Sequence, residues 1–101
     1  MKIDVEKLDV THNAAENRFE TWIEGQLSKL DYLEDDGTII MTHVGVYPEH
    51  RGQGVAGKLT QVALEYAKGK SLRVIPMCPY IASYIRRNPQ YIELTSQERS
   101  E

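Results

Sequence analysis

A glycine-dense hexapeptide, Gly52-Gln53-Gly54-Val55-Ala56-Gly57, stands mid-chain between a β-branched run and a helical pattern, and no other feature constrains the fold as much. The run before it, Thr38 to Val46, suits a strand. From Val55 to Lys70 the apolar positions Val55, Leu59, Val62, Ala63, Tyr66 and Ala67 have helical spacing, with Gly69 as a stop. Ser71 to Cys78 then carries Leu72, Val74, Ile75 and Met77, a short buried strand. A strand-helix-strand crossover makes its two strands parallel and right-handed. Pro76 removes a ladder donor from the second strand, which suits an edge, a bulge or a point where neighbouring strands part.

Upstream, Asn17 to Ile23 and Gln26 to Leu33 alternate around a Glu24-Gly25 turn, with one irregularity expected in the second run. Glu34-Asp35-Asp36-Gly37 makes the next turn, so the first half reads as a three-stranded antiparallel meander. Downstream, a second helix over Tyr80 to Arg87 ends at Asn88-Pro89. The expected fold is therefore α/β: a mostly antiparallel sheet with one strand-helix-strand crossover. With 101 residues there is room for one core, so residues 1–101 are expected to form a single compact domain with 95–101 as a frayed tail.

Charge narrows the function classes. Lys plus Arg is 12 against 15 for Asp plus Glu, a balance unsuited to a dedicated nucleic-acid binder. Residues 1–50 carry 4 basic and 11 acidic side chains, and 51–101 carry 8 and 4, so an anionic ligand suits the second half and a cationic partner the first. No apolar run approaches the ~18 residues of a membrane span. Met1 to Val10 has no signal-peptide core, and a cytoplasmic protein is expected. The single cysteine, Cys78, allows neither an internal disulfide nor a multi-cysteine zinc site, and no metal is expected.

Glycines between a strand and a helix let backbone amides approach an anion at the positive helix end. The hexapeptide satisfies three patterns. As Gly-x-Gly-x-x-Gly it matches a dinucleotide fingerprint, but the next strand ends in Met77-Cys78 rather than in an acid for a ribose. As a Walker A loop it has Leu59 where magnesium binding needs Ser or Thr. Arg51-x-x-Gly54-x-Ala56 resembles the (Gln/Arg)-x-x-Gly-x-(Gly/Ala) signature of the GCN5-related N-acetyltransferases. Val44 to Gly52 resembles the strand and loop preceding that signature, and Tyr84-Ile85-Arg86-Arg87-Asn88 is similar to the family's closing Tyr-x-x-x-Gly, with Asn88 in place of glycine. His43 and Cys78-Pro79-Tyr80 look like the family's very small stand-alone branch. The Glu24-Gly25 turn leaves no room for the two helices that larger members place between their first strands, so the acceptor side is reduced.

The resemblance implies acetyl-CoA as cosubstrate and an amine-bearing small molecule or protein lysine as acceptor. It implies a splayed strand pair that admits the cosubstrate, with the amides of Arg51, Gly52, Gln53, Gly54, Val55, Ala56 and Gly57 on the pyrophosphate. The backbone of Val44, Gly45 and Val46 would lie along the pantetheine arm, an amide near Val46 would serve as oxyanion donor, and Asn88 would close the site. Tyr84 takes the place of the family's tyrosine acid, or packs the second helix on the sheet. Cys78 is a nucleophile or proton donor at the strand end, or a small core residue. Gly45 stands where many relatives carry a glutamate base; His43 is the first candidate base, with His50, which reads mainly as an exposed bystander, and ordered water as the alternatives. Lys58, Arg86 and Arg87 read as solvated charges. A non-catalytic acyl-CoA-binding module is the alternative.

Overall fold

The computed structural model describes residues 2–96. A five-stranded sheet in the order β1-β2-β3-β4-β5 is formed by β1 (Thr11–Asn13), β2 (Arg18–Ile23), β3 (Gln26–Asp35), β4 (Thr38–Gly45) and β5 (Arg73–Pro76). The first four strands run antiparallel, and β5 pairs parallel to β4 after the crossover through helix α1 (Val55–Gly69). Helix α2 (Pro79–Arg87) follows β5. Both hairpins close on two residues at positive φ, Glu24-Gly25 and Asp36-Gly37, the turn pattern whose twist matches that of the strands it joins.

Helix α1 packs on β2, β3 and β4. Its buried stripe is Val55, Leu59, Thr60, Ala63, Leu64 and Ala67, which meets Phe19, Leu30, Tyr32, Ile39, Met41 and Val74 of the sheet. Relative to the sequence reading the stripe is rotated. Thr60 and Leu64 go inside while Val62 and Tyr66 are only partly buried, and Thr60 is tolerated there because its hydroxyl donates to Ala56 O (2.8 Å).

Three expectations are corrected. Helix α1 ends at Gly69 as expected, and it closes two residues on, where Ser71 adopts φ +55 while Ser71 N and Leu72 N donate back to Lys68 O and Ala67 O, a Schellman closure. That closure consumes Ser71 and Leu72, so the strand expected over 71–78 is only Arg73–Pro76. The irregularity expected on β3 lies opposite it: Asp31 pairs with His43 and Tyr32 with Met41, which leaves Thr42 of β4 as a bulge. The meander also has a fourth member, β1, held by His12 stacked on Phe19 at 4.3 Å. Thr95 closes a 3-10 turn, Pro89–Thr95, and the rest of the expected tail from 97 onward lies outside the described residues. Among the described residues no helix is long and apolar enough to cross a membrane.

Candidate functional site

The ladder between β4 and β5 ends at Met41↔Pro76, while β4 continues to Gly45 paired with β3 alone. Pro76 has no N–H to extend the ladder, and the amides of Met77 and Cys78 both turn back onto Met41 O (3.0 and 3.3 Å) before α2 begins. The edge of β4 beyond Met41 is thereby left without a strand partner. A cleft of about 430 Å³ opens beside it, lined by residues 43–46, 50–52 and 54–57 and by Tyr80. This volume falls within the ordinary range for small-molecule sites.

At one end of the cleft stands the N-terminus of α1. Gly54, its N-cap, lies at φ +90 and Gly52 at φ +80, conformations that L side chains rarely adopt. The first intrahelical bond is Lys58 N to Gly54 O, so the amides of Val55, Ala56 and Gly57 have no helical acceptor, and no side chain caps them. Uncapped donors, a positive helix end and no Cβ at Gly52 fit a phosphate group. Arg51 is exposed beside the loop, with Nε 3.4 Å from Val46 O. The side chain of Gln53 turns away, its Oε1 accepting from Ile3 N (2.8 Å), and Gln53 is absent from the cleft wall.

At the other end His43 and Gly45 share one face of β4, opposite Asp31 and Lys29 of β3. The imidazole lies over the glycine: a Cβ at position 45 would sit 3.0 Å from His43 Nε2. The space that a side chain at 45 would take is therefore filled by the His43 ring.

Tyr80 lines the cleft, whereas Tyr84 does not. Both face Gly57, where an added Cβ would lie 3.4 Å from the Tyr80 hydroxyl and 3.7 Å from Tyr84 Cε2. Tyr84 stacks on Tyr91 (centroids 6.4 Å), and burial, reinforced by neighbouring Tyr80, raises its phenol above the ordinary value. Cys78 is a buried free thiol at the head of α2, in the core where β4 and β5 part, and it is not on the cleft wall. Asn88 caps the far end of α2 through Nδ2 to Tyr84 O (2.8 Å), likewise off the wall.

From the sequence Tyr80 is not singled out as a site residue, and His50 enters only as the lesser candidate base. Tyr80 was visible only as part of Cys78-Pro79-Tyr80. His50, expected to be exposed, is only 4% exposed, because the 3-10 turn Pro48–His50 folds it inward against the Tyr47 ring at 5.2 Å. Among the described residues no group of three or more His, Cys, Asp or Glu side chains could hold a metal ion.

Residues 18–94 match the family profile described as GCN5-related N-acetyl-transferase. The protein NATD1 of Xenopus tropicalis is 33% identical over 58 residues, which cover 55% of this chain and 53% of that protein. The human protein NATD1 is 34% identical over 55 residues, covering 52% and 49%. The chain thus spans about half the length of the curated relatives it matches. The NMR solution structure of a GCN5-like N-acetyltransferase family protein from Staphylococcus aureus superimposes with a TM-score of 0.71 at 25% identity, over 93% of both chains.

Proposed function

This chain belongs to the GCN5-related N-acetyltransferases, and from that premise we propose that it transfers an acetyl group from acetyl-CoA to an amine, borne by a small molecule or a protein lysine. The observation that carries the reading is the meeting, in one cleft, of an uncapped helix end and an unpaired strand edge. Bound acetyl-CoA supplies the activated acyl group. The amides of residues 54–57 hold its pyrophosphate, and the backbone of Val44, Gly45 and Val46 hydrogen-bonds the pantetheine arm as a further strand would. An amide near Val46 is the donor for charge developing on the acyl oxygen. His43, over Gly45, takes the proton that the attacking amine must lose. Tyr80 offers the phenol nearest the cleft for protonating the departing sulfur, and Tyr84, kept protonated by burial, backs it against Gly57. Cys78 serves the core at the strand divergence. The need for acetyl-CoA fits a cytoplasmic setting.

A second reading, an acyl-CoA-binding module without turnover, is favoured by the lack of any Asp or Glu in residues 38–46. One experiment separates them: calorimetric titration with acetyl-CoA, CoA, ATP and NAD, followed by thiol release in the presence of amines. Selective acetyl-CoA binding with amine-dependent thiol release is expected, and Gly54→Asp should weaken binding on the order of 100-fold by setting a carboxylate against the pyrophosphate. Binding without thiol release leaves the module, and preference for ATP or NAD overturns both readings.

A further inference from the structure

A second cavity, of about 240 Å³, lies between the β2–β3 turn and the Pro48–His50 turn, walled by Glu24, Gln26, Tyr47, Glu49 and His50. His50 belongs to its wall and to that of the cleft, and Tyr47 directly follows Val46 of the cleft. Two carboxylates, a side-chain amide, a phenol and an imidazole surround a space that disfavours anions. Among the described residues neither Glu24 nor Glu49 forms an ion pair.

The His50 ring is a separate sign of a missing partner. It is more than nine-tenths buried, and among the described residues its buried Nδ1 has no hydrogen-bond partner. Leaving a polar group buried and unpaired costs stability unless a ligand or water completes it. A bare metal ion does not suit the site, since no metal-holding group of side chains occurs among the described residues. A primary ammonium does: it only donates hydrogen bonds, and Glu24, Gln26, Tyr47, Glu49 and His50 all carry acceptors.

An ammonium held by carboxylates stays protonated and cannot itself attack a thioester. We therefore propose that this pocket anchors one cationic nitrogen of an acceptor carrying two basic nitrogens, whose second, neutral amine is the one acetylated in the adjoining cleft. The proposal rests on the transferase reading. In the transfer the acetyl C–S bond breaks as a C–N bond forms; the neutral amine gives one proton to His43, the departing sulfur takes one from Tyr80 and leaves as the CoA thiol, and return of the His43 proton to Tyr80 through solvent leaves no net proton released. The hairpin turn that replaces the helices of larger relatives thus supplies an acceptor contact of its own, Glu24.

The test compares 1,4-diaminobutane with 1-aminobutane as acceptors, read by CoA release, for the wild type and for the Glu24→Gln/Glu49→Gln double variant, with acetyl-CoA affinity measured in parallel. The wild type should show a KM at least tenfold lower for the diamine. The double variant should lose that preference through a rise in KM for the diamine, while acetyl-CoA affinity stays unchanged. Equal KM values in the wild type, or a preference that survives the double substitution, overturn the pocket. Failure of acetyl-CoA to bind sinks the transferase reading instead. The pocket is then judged by amide-shift titration with diaminobutane: saturable shifts at Gln26 and Tyr47 that the double variant lacks uphold a cation site, and their absence refutes it.

Discussion

The aromatic box at the N-terminal side of the sheet and the cleft beyond Met41 treat their polar groups in opposite ways. In the box His12 stacks on Phe19, its Nε2 lies 2.6 Å from the Tyr32 hydroxyl, and the Tyr66 hydroxyl donates to Glu34 Oε1 at 2.7 Å. Polar groups there find partners inside the protein, and burial with Glu34 alongside pushes the Tyr66 phenol up to about 12. At the cleft the helix end is uncapped, the β4 edge unpaired and His50 Nδ1 unsatisfied. The box joins β1, β2, β3 and α1 with side chains, whereas the cleft presents mainly backbone. Groups in the box are satisfied within the fold, whereas those at the cleft are left open.

The sharpest way to break this contrast is to damage one region and read the other. Phe19→Ala removes a ring 1% exposed at the centre of the box and should cost about 3–5 kcal/mol in chemical denaturation. Acetyl-CoA affinity of the folded fraction should be preserved, and a parallel loss of affinity would show that the cleft depends on the box. If His43 is the base, His43→Gln should lower turnover on the order of 100-fold, and with the ring exposed the melting temperature should not change. Tyr80→Phe should slow transfer more than Tyr84→Phe, and Cys78→Ala should leave turnover within a few-fold while lowering stability. The reverse order among these three would move the acid to Tyr84 or the thiol.

The smallest expected effect is on pH. Burial, with Lys70 adding and Glu34 opposing, holds the His12 imidazolium below its ordinary value of 6.5, so the unfolded chain binds that proton more readily. The stabilisation is complete above the unfolded value and is lost as pH falls below 6.5 through the folded one. Melting temperature should fall between pH 7.5 and 5.5, and His12→Gln should flatten that slope. An unaltered slope would detach His12 from the acid sensitivity of the fold.

Much of the sheet was legible because its signals are local. Alternation around Phe19, the Glu24-Gly25 and Asp36-Gly37 turns and the helical spacing after Gly54 depend on neighbours within a few residues, and these elements stand where expected. β1 was not legible, since Thr11–Asn13 is too short to alternate and is held by a ring 7 residues further on. The left-handed closure beyond Gly69 was not legible, because Ser71 adopts a conformation that glycine usually takes. At the site, the glycine loop was visible as a motif, but which side chains border the cleft was not. Tyr80 and Tyr84 share a helix, and only the rotation of α2 against Gly57 puts the first on the wall.

By itself the sequence determined the order of β2 to β5 and of the two helices, the glycine loop at a helix start and the proline that cannot extend a ladder, because each follows from backbone sterics or local periodicity. Tertiary structure alone decided that Cys78 is in the core, that His50 is buried and that the β2–β3 turn meets the Pro48–His50 turn around a cavity. Those outcomes depend on how distant segments pack, and packing is set by contacts among residues far apart in the chain, to which local pattern is blind.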